Sequence, residues 1–77
     1  MLDADLAILG APPNEYQAYV HGVRAEYHHV ADDAWRTGRA AVLREFLARP
    51  QLFLTATMRA TRESRARANL TAELATL

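Results

Sequence analysis

Apolar residues recur along the chain at helical spacing, and proline and glycine divide the pattern into four stretches: 2–9, 14–29, 32–49 and about 57 to the end. Around the second stretch, at 100° per residue, Tyr16, Tyr19, Val20, Val23, Tyr27 and Val30 fall within an arc of roughly 100°. That is the width of a core-facing stripe. The third stretch carries Trp35, Val42, Leu43, Phe46 and Leu47 on one arc. The fourth has a narrower stripe of Ala66, Leu70, Leu74 and Leu77. No window sustains the alternation of a half-buried strand, although Gln51, Leu52, Phe53 and Leu54 could be briefly extended.

The punctuation sharpens the element bounds. Gly10-Ala11-Pro12-Pro13 forms an elbow before the second helix, where a proline in the first helical position is compatible with a start. Asp32 or Asp33 can cap the third helix, and Pro50 stops it by pushing Arg49 out of the α region. The connection between the second and third helices is so short that they are expected to form an antiparallel hairpin, the stable centre of the fold. The first turns of the last helix, Arg59 to Arg67, are mostly charged and are expected to lie in solvent. Arg59, Glu63 and Arg67 there have the i,i+4 spacing of helix-supporting pairs. The fold class is therefore all-α: a short N-terminal helix, a central antiparallel helical hairpin and a C-terminal helix, with residues 1–77 as one helical unit.

Composition narrows the class of protein. Hydrophobic residues make up 51% of 77 residues, which suits a globular chain with a thin core. No apolar run of about 18 residues exists to span a bilayer. The opening Met1-Leu2-Asp3-Ala4-Asp5 has acids where a secretory signal has basic residues, which points to a soluble, cytoplasmic protein. Without cysteine there is no disulfide and no thiolate metal site. Nine basic residues, all arginine, balance nine acidic ones, so neither nucleic acid nor an anionic membrane is expected as a partner.

Two charged residues sit on apolar arcs. In the first stretch Asp5 falls among Leu2, Leu6, Ile8 and Leu9, while Asp3 lies opposite. A carboxylate inside an apolar face must be paired, metal-bound or shifted in pKa, or else it sits solvated at a helix start where the macrodipole favours an acid. In the third stretch Arg39 lies between Leu43 and Phe46. It needs a partner, either a buried carboxylate such as Asp5 or a phosphate gripped by its planar fork, unless its head reaches water. Gly38 beside it would allow a close helix approach. His21, His28 and His29 lack the spacing of a shared ion and are expected at the surface. The Arg59 to Arg67 cluster has no interleaved aromatics and is expected to be a solvated face.

The segment Asp3-Ala4-Asp5-Leu6-Ala7-Ile8-Leu9-Gly10 resembles the part of the HD-superfamily metal-dependent phosphohydrolases that carries their last metal-ligand aspartate. Further stretches agree in order: Tyr16-x-x-Tyr19, Val23-Arg24-Ala25-Glu26-Tyr27, Gly38 to Leu47, Leu52-Phe53-Leu54-Thr55, and Ala66-Arg67-Ala68-Asn69-Leu70. The resemblance covers essentially the whole chain. It implies a helical fold in which an early histidine, a His-Asp pair and a late aspartate hold a divalent metal that activates water for phosphoester hydrolysis. It assigns the ligand role to Asp5, with Asp3 as second choice. The histidine and His-Asp ligands have no counterpart here, because no aspartate follows His29.

Two readings follow. One is the C-terminal part of such a phosphohydrolase, inactive and metal-free alone, completing a site when joined to an N-terminal half. The other is a non-enzymatic helical module for protein–protein interaction or self-association. The first helix discriminates: in a self-contained module Leu6, Ile8 and Leu9 are covered by the other helices, and in a segment of a larger domain they remain open.

Overall fold

The computed structural model describes residues 6–77. A 3-10 turn at Ala7–Gly10 is followed by three α-helices: α1 at Pro13–Glu26, α2 at Asp32–Ala48 and α3 at Ala56–Ala75. No strand occurs among the described residues, and Leu52 and Phe53 enter the core from an irregular connection. The bounds follow the punctuation. Pro13 opens α1 as its first residue, and Arg49, ahead of Pro50, is extended at ψ 140°. Thr55 caps α3 by accepting from the Met58 amide at 3.3 Å.

One start differs from expectation. Asp32 and Asp33 are the first residues of α2 rather than its cap, and Ala31 occupies the cap position without a side-chain bond. The Asp32 carboxylate is drawn instead to Arg24, 2.7 Å away. Both acids still complement the positive end of the helix.

The core gathers Leu6, Leu9, Tyr16, Leu43, Leu52, Phe53, Ala66 and Leu70 from every element. The hairpin of α1 and α2 runs antiparallel, with Tyr27 stacked on Trp35 near the connection and Tyr19 facing Arg39 farther along. It is not the centre of the fold. The most extensive backbone approach is between α3 and the 3-10 turn, with α2 against α3 next. The backbones of α1 and α2 approach each other less extensively, whereas Gly10 lets the turn lie directly on α3. A Cβ at Gly10 would stand 2.7 Å from Arg62 Cβ and 2.9 Å from the Arg62 carbonyl oxygen. Gly38 does not serve a close approach, since a Cβ there would meet nothing within 4 Å.

The turn also explains which residues of the first apolar stretch are buried. With three residues per 3-10 turn, Leu6 and Leu9 fall on one face and point into the core, at 5% and 2% exposure. Ile8 points outward at 36%. Asp3 and Asp5 lie outside the described residues.

Candidate functional site

The backbone following Asp5 is fastened by one face of α3. Arg62 Nη1 donates to the Ala7 carbonyl at 3.3 Å, and Arg65 Nε donates to that of Gly10 at 2.7 Å. Asn69 Nδ2 donates to the carbonyls of Leu9 and Ala11, at 2.8 and 2.9 Å. Positions 62, 65, 66, 69, 70 and 73 recur at three and four residues, so donors and apolar contacts alternate down one side of the helix. Buried carbonyls of an irregular segment need such partners.

The front of α3 is therefore not the solvated charged face expected. Arg59 Nη1 donates to the Leu54 carbonyl at 2.6 Å. Arg67 donates to the carbonyls of Leu47 and Arg49, at 3.2 and 2.7 Å, and pairs with Glu63 at 3.0 Å. Glu63 in turn accepts from the amides of Leu52 and Phe53, at 3.0 and 3.2 Å. These side chains do for the irregular backbone what a helix or sheet would do for itself.

Arg39 finds its partner in a residue the sequence reading did not single out. Its Nε and Nη2 meet Glu73 Oε2 and Oε1 at 2.6 and 2.9 Å, and the Tyr16 hydroxyl donates to the same Oε1 at 2.5 Å. Arg39 and Glu73 are 8% and 6% exposed. Of the two partners expected for Arg39, carboxylate and phosphate, the structure supplies the carboxylate, but from Glu73 rather than Asp5. Glu73 holds Arg39 above its ordinary range, with burial acting the other way. Burial, then the hydrogen bond to Glu73, raises Tyr16 well above the usual phenol range. Every buried polar side-chain atom among the described residues has a partner, so the triad serves as an internal tie between the three helices. The helical wheel carried only a faint signal, since Glu73 falls about 20° beyond Ala66, at the edge of the α3 stripe rather than within it.

Two openings remain at the surface. Between α1 and α2 an apolar groove of about 370 Å³ is lined by Val23, Tyr27, Val30, Trp35, Gly38 and Val42. Between α2 and the end of α3 a cleft of about 480 Å³ is lined by Asp33, Arg36, Thr37, Ala40, Arg44, Leu74 and Leu77. The three histidines are exposed, and His28 Nδ1 lies 3.0 Å from the Ala25 carbonyl. Among the described residues no three His, Asp or Glu side chains stand close enough to hold a metal ion, so these residues alone do not fit one. No helix among them is long and apolar enough to cross a membrane.

Compared with protein-family profiles, curated proteins and solved structures, the chain matches none.

Proposed function

We propose that this chain is the C-terminal segment of an HD-superfamily metal-dependent phosphohydrolase, offering Asp5 as the late ligand of a metal centre whose histidine and His-Asp ligands come from another segment. The observation that carries this reading is the anchorage of the turn that begins two residues after Asp5. A ligand carboxylate works only if its backbone is fixed to within about 0.5 Å. Here the carbonyls of Ala7, Leu9, Gly10 and Ala11 are all held by α3. The residues that carry the resemblance also supply the ties. Tyr16 and Arg39 meet at Glu73, Phe53 is fully buried, and Asn69 fastens the turn.

In the complete family a bound divalent ion supplies an activated water for phosphoester hydrolysis. With one candidate carboxylate, the isolated chain is expected to bind no catalytic metal and to turn over nothing. A cytoplasmic setting fits a chain without cysteine. Engagement of Arg59, Arg62, Arg65 and Arg67 with backbone carbonyls supports a role that does not involve nucleic acid.

The test is co-production with an N-terminal HD segment carrying the histidine and the His-Asp pair. The expected result is a complex with manganese-dependent hydrolysis of bis(p-nitrophenyl) phosphate, absent from either part alone and lost in Asp5→Ala. Failure to associate, or hydrolysis indifferent to Asp5→Ala and Asp3→Ala together, overturns the proposal.

A second reading is favoured by the coverage of Leu6 and Leu9 by the chain's own helices and by the open apolar groove, where Tyr27 and Val42 are 49% and 40% exposed. It makes the chain a helical module that pairs with a second copy through that groove, across a two-fold axis. Sedimentation discriminates: a dimer dispersed by Val42→Glu supports it, and a monomer at high concentration removes it.

A further inference from the structure

Seven of the nine arginines have a defined partner. Arg24 bonds to Asp32 and two carbonyls, Arg39 to Glu73, and Arg49 lies over the Phe46 ring. Arg59, Arg62, Arg65 and Arg67 bond to backbone carbonyls. Arg36 and Arg44 are the two whose side chains, among the described residues, make no hydrogen bond, ion pair or ring contact, and both line the same cleft. Arg36 helps to hold the exposed Asp32 below the usual carboxylate range, after the larger effect of Arg24, but forms no ion pair with it.

The two guanidinium groups flank Ala40, at i, i+4 and i+8 on one face of α2, about 12 Å apart along the helix axis at their Cα atoms. The small Ala40 side chain leaves a hollow between them. Leu74 of α3 and Leu77 just beyond its end, both partly buried, form the opposite wall. Asp33 stands at one end, next to Arg36, and turns its carboxylate to the Ala34 amide at 2.9 Å. A volume of about 480 Å³ is in the range of small-ligand sites.

We propose that this cleft binds an organic phosphate monoester, its phosphoryl group between Arg36 and Arg44 and its organic body against Leu74 and Leu77. Two separate planar forks suit a tetrahedral dianion with three acceptor oxygens, whereas one fork already saturates a carboxylate. The site is independent of the metal-centre reading, since it uses neither Asp5 nor the turn.

The experiment titrates the full chain with phenyl phosphate, inorganic phosphate and benzoate, by calorimetry and by the arginine Nε–H resonances. Phenyl phosphate is expected to bind more tightly than either other anion and to shift the Arg36 and Arg44 signals. Arg36→Gln and Arg44→Gln, both at exposed side chains, should each weaken it about tenfold while leaving the fold intact. Saturation as tight with inorganic phosphate would overturn the role of the leucine wall. Equal, unsaturable binding of all three anions that survives both substitutions would overturn the site.

Discussion

Arg39 and Glu73, 34 residues apart in the chain, meet in a two-point contact that the Tyr16 hydroxyl completes from a third helix. A buried pair is a poor source of net stability but a costly one to break, because the survivor is left charged and unpaired. Glu73→Ala should therefore destabilise the chain by about 3–5 kcal/mol, enough to unfold much of a domain this small. The triple replacement Tyr16→Phe, Arg39→Met, Glu73→Leu should restore most of the loss. Urea midpoints followed by circular dichroism compare the three proteins.

The same contact sets an alkaline limit. Tyr16 is held above its ordinary range by burial and by its bond to Glu73, so the native state keeps the phenol proton that the unfolded chain gives up near pH 10. Its contribution is complete below that value and is lost as pH rises above it. Denaturation midpoints between pH 8 and 11.5 should fall at the upper end, and Tyr16→Phe should fall less steeply.

Gly10 makes a third test. A methyl group there would collide with Arg62 Cβ and backbone oxygen, neither of which is the free end of a flexible chain. Gly10→Ala should cost about 1–3 kcal/mol, read as a lowered melting temperature. Gly38→Ala, which meets nothing within 4 Å, should be neutral or slightly stabilising, since alanine suits a helix interior better.

Asn69→Leu keeps the volume but removes both donors to Leu9 and Ala11. Two buried carbonyls are left bare, at about 1–3 kcal/mol each. Amide exchange should accelerate first in residues 6–11, before the helices open. Uniform acceleration across the whole chain would show instead that the turn is not a separately released unit.

Helices were legible wherever a stripe ran between two breakers, as in α1 from Pro13 and in α2 up to Pro50. Their arrangement was less so. Wheel and loop length alone made the α1–α2 hairpin the centre, but neither carries information about how closely two backbones approach, and the closest approach is that of the turn at Gly10 to α3. The ties of α3 were hidden because Arg62, Arg65 and Arg67 have the same composition as a solvated face. An arginine that reaches a carbonyl 55 residues away looks, in sequence, like one that reaches water. Glu73 was harder to find than Arg39, because it falls at the edge of its stripe rather than inside it, where an acid is ordinarily solvated.

The fastening of the first turn to α3 also has a place in time. Asn69 and Ala11 are 58 residues apart, and a ribosome adding about 5–20 residues per second would take roughly 3–12 s to travel from one to the other. For that interval Leu6 and Leu9 have α1 beside them but lack the cover that α3 supplies. Apolar side chains made well before α3 are thus among the last to be fully buried, and the closing of this long loop, rather than the zipping of any helix, is the step expected to set the pace of folding.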